Sequence, residues 1–365
     1  MRIVVVGAGA IGSYLGAALA ADGHQVGLLG RAAYVARVRA RGVTIVQGGA
    51  ERLVTGVTAA ERIEDLVTGE AAAGFDLAIV TVKAFDTAEA ARLLQPFVSA
   101  GRGRVVLIQN GVGGDEIAAG LLPPSALVTG VITAVVAVRD MAHYEVRGKG
   151  GGLCLAPYVP EGAPVEPLVA MFQRAGVRCR ACPDGRAIRW SKLLLNMMAN
   201  AVPAITGLSP AEVYAEDLLY ALEAAAVREA LAVMHAAGVR PARLPGYPVD
   251  VLAWLLERAP QGLARALLRR MVGGARGGKK PSLQIDLERG RSESEVTYLN
   301  GAVAREAARL GLPAPVNGTI AAVLEGLAAG TLEHGAFRHS PQALAERAAA
   351  AGWRVPAGSG FRAAR

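Results

Sequence analysis

Residues 2–12 read RIVVVGAGAIG. An apolar run meets three glycines, Gly7, Gly9 and Gly12, and the chain then turns amphipathic. The run reads as a buried strand, Arg2–Val6, and Ile11–Asp22 as a helix that Gly23 stops. Gly7-Ala-Gly9-Ala10-Ile11-Gly12 fits the spacing GxGxxG, between a strand and a helix. The first glycine permits the tight turn, the second lets a pyrophosphate approach the backbone, and the third lets helix and strand pack closely. The helix start, at Ala10 and Ile11, offers free N–H groups and a partial positive charge to that anion. The expected ligand is a dinucleotide.

The next strand, His24–Leu29, decides which dinucleotide. NAD sites usually end this strand with a carboxylate for the ribose 2′-hydroxyl. Here it ends Leu28-Leu29-Gly30-Arg31, with no acid and with an arginine at the turn. An arginine pairs with a 2′-phosphate through charge-assisted bonds. The expected cofactor is therefore NADPH. Lys83, just after the apolar stretch Phe75–Val82 (FDLAIVTV), sits where ligands bind in such sheets and adds to the phosphate field.

Outward from the glycine loop, short apolar runs alternate with helical patterns. Thr87–Gln95 reads as a helix, Arg104–Ile108 as a strand, and Gln109–Gly114 as the loop after it. Thr129–Val138 and Gly152–Pro157 read as further strands. Alternating strand and helix is the pattern of a doubly wound parallel sheet. After about residue 183 the pattern becomes helical: Trp190–Val202, Pro210–Ala237, Val249–Met271, Glu295–Leu310, Ile320–Ala329 and Pro341–Ala351. A Gly/Lys-rich break, Gly273–Pro281, interrupts that half. The expected fold is a Rossmann-type α/β domain over residues 1–182, an all-α domain over 183–352, and a frayed tail over 353–365.

Composition narrows the class. The 365 residues suffice for two domains. Thirty-nine Lys and Arg against 31 Asp and Glu give a formal charge of +8, but the arginines are scattered. Neither a nucleic-acid partner nor a membrane partner is expected. No stretch of about 18 apolar residues occurs, and no leader is expected. Cys154, Cys179 and Cys182 form an odd, low count, which suggests a reducing, cytoplasmic setting with incidental thiols; Cys179 and Cys182 have CxxC spacing without a second ligand pair.

A second stretch carries chemistry. In Trp190–Asn200, Lys192, Asn196 and Asn200 recur every fourth residue, on one face of a helix whose other positions are mostly apolar. A lysine in apolar surroundings has a lowered pKa and serves as a proton donor near neutral pH. Asn110 lies in the loop after a first-domain strand, and Ser282 and Glu295 flank a predicted helix start.

Together these stretches resemble the ketopantoate reductase family (2-dehydropantoate 2-reductases). The match is GAGAIG at 7–12, Arg31, TVK at 81–83, QNG at 109–111, WxKLxxNxxxN at 190–200, and PSLxxDLERGR with SEVxYLNG from 281 to 301. The resemblance implies NADPH-dependent reduction of a small 2-keto acid. It implies Lys192 as proton donor, with Asn110 near the nicotinamide and Glu295 beside the lysine or a substrate hydroxyl. It implies Asn196, Asn200 and Ser282 in substrate binding.

Three departures touch substrate recognition. Thr206-Gly207-Leu208 stands where the family usually carries Asn-Gly, one extra residue precedes Glu295 and leaves Glu293 as a competitor, and residues 239–277 are longer than usual. A paralogue acting on another 2-keto acid, an opine-type dehydrogenase and an NADP-binding regulator are the alternatives. A homodimer through the helical domain is expected.

Overall fold

The computed structural model describes residues 1–67, 74–98, 103–148, 150–162, 164–259, 262, 263, 265, 266, 268, 280–357, 359 and 361. Most of the Gly/Lys-rich break, the end of the helix expected to reach Met271, and several tail residues lie outside that set. The chain forms two compact units. One comprises Met1–Gln109, Gly113–Arg189 and Arg243–Pro248; the other comprises Asn110–Val112, Trp190–Ala242 and Val249–Arg365.

The first unit is α/β. Its strands are β1 (Arg2–Val6), β2 (Gln25–Leu29), β3 (Val43–Gln47), β4 (Ala50–Val54), β5 (Val57–Ala60), β6 (Leu77–Val80), β7 (Arg104–Leu107), β8 (Leu127–Ile132), β9 (Val135–Asp140), β10 (His143–Arg147), β11 (Leu153–Pro157) and β12 (Cys179–Ala181). Its helices are α1 (Ala10–Ala21), α2 (Ala32–Arg41), α3 (Thr87–Val98), α4 (Gly114–Ala119) and α5 (Glu166–Arg174). The main sheet runs β12-β11-β8-β7-β6-β1-β2-β5, parallel except where β11 meets β8. Ile3 and Val5 of β1 join one apolar cluster, Val4 and Val6 the other. Burial on both faces explains why β1 is apolar without alternation. Strand order reverses between β1 and β6, which places a crevice at their carboxyl ends.

A second sheet, β4-β3-β10-β9, packs on α1. The expectation of one strand over Thr129–Val138 is corrected by it: β8 lies in the main sheet and β9 in the smaller one. Thr133 anchors the crossing, because its Oγ1 donates to Pro245 O at 2.7 Å and accepts from Gly152 N at 3.0 Å. The expectation of three incidental thiols is also corrected. Cys154 and Cys182 form a disulfide, while Cys179 is free and buried. Pairing of β11 with β12, and the bond from Cys182 N to Leu155 O, bring those two residues together.

The second unit is helical: α7 (Ala201–Thr206), α8 (Pro210–Ala215), α9 (Asp217–Ala236), α10 (Val249–Arg258), α11 (Ser282–Glu288), α12 (Asn300–Arg309), α13 (Pro315–Ala328) and α14 (Pro341–Ala350). Before it comes α6 (Gly185–Met197), within which the division of the chain falls. The helix expected over Trp190–Val202 is broken. α6 stops at Met197, Ala199 adopts a φ of +47°, and α7 starts after Asn200. Pro210–Ala237 likewise breaks at Glu216, whose backbone is extended and whose side-chain Oε2 caps α9 by accepting from Leu219 N at 2.6 Å. Among the described residues no helix is long and apolar enough to cross a membrane.

Candidate functional site

In the α/β unit the glycine loop joins the carboxyl end of β1 to α1. Gly7 has a φ of +100°, and a Cβ there would lie 2.7 Å from Val82 N. A Cβ on Gly12 would lie 2.4 Å from Gly7 O. Neither position admits a side chain. A Cβ on Gly9, by contrast, would meet nothing within 4 Å. That open backbone is the cradle an anion needs. The first turn of α1 carries no acidic residue. Thr81 Oγ1 donates to Gly7 O at 2.6 Å, and Ala8 N donates to Leu29 O at 3.0 Å. The loop is thereby tied to the carboxyl ends of the strands on both sides of β1.

Arg31 is exposed at the start of α2, directly after Gly30. Lys83 is half-buried just beyond β6. Behind the loop, Ser13 Oγ shares a 2.7 Å hydrogen bond with Tyr34 Oη and donates to Tyr144 Oη at 3.2 Å. Burial pushes the Tyr34 hydroxyl well above the usual tyrosine range. This cluster links α1, α2 and β10 under the loop. The sequence held one signal for it: two hydroxyl-bearing residues, Ser13 and Tyr34, in otherwise apolar helix positions.

Another buried polar group is Arg189, with 5% of its side chain exposed. Its guanidinium donates to both carboxylate oxygens of Asp115, at 2.8 and 2.7 Å, and to the carbonyls of Gln109, Gly130 and Leu107. This bidentate pair fixes the first part of α6 to the loop after β7 and the start of α4. Sequence reasoning missed it, although an arginine between Ile188 and Trp190 was its signal.

The helical unit gathers the other predicted residues. Asn110 lies in the three-residue segment that groups with this unit. Asn196 Nδ2 donates to Asn110 Oδ1 at 3.0 Å. Asn200 Nδ2 donates to Asn196 O at 3.0 Å. Asn200 Oδ1 accepts from Leu283 N at 3.3 Å and from Ser282 Oγ at 3.5 Å. Three separate parts of the sequence, at 110, 196–200 and 282–283, thus form one hydrogen-bonded chain. Lys192 lies one turn before Asn196 on α6; both are half-buried, between buried Leu193, Leu194 and Met197. Asn200 does not extend the helix face as spacing suggested. It stands at the break and reaches back to Asn196.

Glu295 opens a 3-10 turn, Glu295–Tyr298, and is 4% exposed, whereas Glu293 is exposed. Burial separates the two candidates. The turn is fastened to the asparagine loop, because Val112 N donates to Tyr298 O at 2.8 Å. A Cβ on Gly111 would lie 2.3 Å from that oxygen, so the QNG glycine is what allows the approach. Near the expected Asn-Gly position, Gly207 faces the side chain of Arg338, whose Cγ would lie 3.4 Å from an added Cβ.

Two family models match most of the chain. Residues 3–158 match the model described as ketopantoate reductase PanE/ApbA, and residues 184–328 match its C-terminal counterpart. The 2-dehydropantoate 2-reductase of Halobacterium salinarum is 30% identical over 328 residues, covering 88% of this chain and 97% of that protein. Its counterpart from Archaeoglobus fulgidus is 27% identical over 334 residues, covering 90% and 98%. Among solved structures, a PanE/ApbA family ketopantoate reductase from Ralstonia eutropha JMP134 has a TM-score of 0.74 and 28% identity, covering 90% of this chain and 98% of that one.

Proposed function

This chain belongs to the ketopantoate reductase family, and we infer that it reduces 2-dehydropantoate to pantoate with NADPH. The observation that carries the inference is the hydrogen-bonded chain Asn110–Asn196–Asn200–Ser282, one helical turn from Lys192.

The α/β unit fits the cofactor. Within Gly7–Gly12, Gly9 leaves an open backbone at the start of α1, with Ala10 and Ile11 supplying N–H groups to a pyrophosphate. Arg31, with no carboxylate beside it at the end of β2, favours the 2′-phosphate and hence NADPH over NADH. Lys83 adds positive charge at the neighbouring strand end. When bound, the nicotinamide supplies a hydride.

The helical unit treats the keto acid. Lys192 donates a proton from Nζ to the carbonyl oxygen as the carbonyl carbon is reduced, and a neutral alcohol results. Acid help of this kind contributes about 10²–10⁴-fold. Ser282 and the Asn200 carboxamide hold the substrate carboxylate end. Asn110 and Asn196, bonded to each other, orient the carbonyl. Buried Glu295 contacts the lysine or a substrate hydroxyl. The biosynthetic reaction supports a cytoplasmic enzyme, and apolar Val251 and Trp254, exposed on α10, support a homodimer that sedimentation can check.

One observation favours a second reading within the same chemistry. Residues 206–208 lack the expected asparagine, and Arg338 lies over Gly207, an arrangement that suits a keto acid other than 2-dehydropantoate. NADPH oxidation with 2-dehydropantoate beside a panel of 2-keto acids decides. Preferred turnover of 2-dehydropantoate supports the first reading; preferred turnover of another acid replaces it.

A further inference from the structure

Helix α9 carries a half-buried carboxylate, Glu229, that the proposed chemistry does not use. Glu229 Oε1 accepts from Val316 N at 2.9 Å. Glu229 Oε2 accepts from Asn317 N at 2.9 Å and from Asn317 Nδ2 at 2.7 Å. Asn317 is fully buried and also donates to Ala226 O, one turn earlier on α9, at 2.8 Å. Its Oδ1 accepts from Asn300 Nδ2 at 2.9 Å. Asn300 is 2% exposed and opens α12.

Asn300 lies five residues after Glu295, and the interval is tightly folded. Leu299 N donates to Val296 O at 3.0 Å. A Cβ on Gly301 would lie 3.3 Å from that same Val296 oxygen. Tyr298 O receives the Val112 N–H, two residues from Asn110. A shift of Asn300 therefore moves the Glu295 turn and the Asn110 loop together.

We propose that Glu229 is a positioning residue: through Asn317 and Asn300 it fixes the turn that carries Glu295 and the loop that carries Asn110. The proposal rests on the placement of those two residues in the substrate site. Three donors converge on one carboxylate, an arrangement that only the ionised form satisfies fully. Burial pushes the Glu229 carboxyl up, and the N–H groups of Asn317 and Val316 pull it back down. A helix cap needs one such acceptor. The continuation into Asn300, across α13, is what capping alone does not require.

The test is a set of substitutions in the full-length enzyme, with kcat and KM measured per folded molecule. Glu229→Gln keeps the volume and turns one acceptor into a donor. It is expected to lower kcat about tenfold or more, since small misplacements of reacting groups carry large rate penalties, while KM for NADPH stays within about twofold. Asn300→Ser is expected to act in the same direction, and the double variant to be no slower than the worse single one, because both break one relay. Glu229→Asp, which restores the charge, is expected to recover part of kcat. Unchanged kcat in Glu229→Gln with only a lower unfolding temperature overturns the proposal, as do additive losses in the double variant. Glu295→Gln in the same assay separates the two levels. If it lowers kcat while Glu229→Gln does not, the relay alone is wrong. If it leaves kcat intact, Glu295 is outside the site and the relay falls with it.

Discussion

Glu223 Oε2 accepts the backbone N–H of Ala199 at 2.9 Å, and Tyr214 Oη donates to the same oxygen at 3.2 Å. Ala199 is held at a φ of +47°, a conformation that an L-residue adopts at some cost. The carboxylate on α9 therefore stabilises the break that separates α6 from α7 and turns Asn200 back toward Asn196. Glu223→Ala leaves the Ala199 N–H without this acceptor. The variant should lose about 1–3 kcal/mol of stability, the usual penalty for a buried donor stripped of its partner. Its KM for the keto acid should rise more than its KM for NADPH. Denaturant unfolding checks the first outcome and steady-state kinetics the second; an unchanged midpoint would show that the break forms without Glu223.

Arg31 stands exposed at the start of α2, where no carboxylate precedes it. Arg31→Ala should raise KM for NADPH by about tenfold to a hundredfold, the loss of a charge-assisted phosphate contact of about 1.5–3 kcal/mol. KM for NADH should change little. Equal effects on the two cofactors would remove Arg31 from 2′-phosphate recognition.

Asp115 and Arg189 form a buried bidentate pair, with 7% and 5% of their side chains exposed. Breaking such a pair from one side strands a buried charge, and Asp115→Ala should lower stability by about 3–5 kcal/mol. Replacing both residues by apolar ones of similar size should be milder. Chemical denaturation of the single and double variants measures the difference, and a single variant as stable as the parent would contradict the account.

Cys179 packs among Leu153, Phe172 and Val177, and burial pushes its thiol up to about 12. At pH 8 it should react with alkylating reagents only as fast as the protein opens. The raised value also fixes a sign. The folded state keeps the proton that an unfolded thiol gives up near its ordinary value of 9.0. Stability from this group is complete below pH 9 and is lost as pH climbs toward 12. Denaturation midpoints at pH 8 and pH 10.5 should fall less in Cys179→Ala than in the parent. A Cys179 that alkylates within seconds at pH 8 would contradict its burial.

The glycine loop, the parallel strands and the helical second half were legible in the sequence because each depends on local geometry. GxGxxG needs only a strand before it and a helix after it, and both are written in residues 2–22. Three of the misread features depend on partners far away in sequence. The break at Ala199 follows from Glu223, 24 residues on. The division of Thr129–Val138 between two sheets follows from the bond of Thr133 to Pro245, 112 residues on. The Cys154–Cys182 disulfide follows from the pairing of β11 with β12, a three-residue strand too short to show a period. Within the helical unit, the sequence named the polar residues Asn110, Asn196, Asn200 and Ser282 but not their order of bonding, which the break at Ala199 creates. Arg189 and Glu229 were passed over because each serves another residue and resembles an ordinary surface charge on a helix.

The most direct test is the Lys192→Ala variant, assayed by NADPH oxidation with 2-dehydropantoate beside a separate titration of NADPH binding. Loss of the proposed proton donor should reduce kcat by about 10²–10⁴-fold, with the NADPH dissociation constant within about twofold of the parent, since cofactor binding is proposed for the glycine loop and Arg31 and not for Lys192. Turnover close to that of the parent would contradict Lys192 as the acid and, with it, the chemistry assigned to the helical unit.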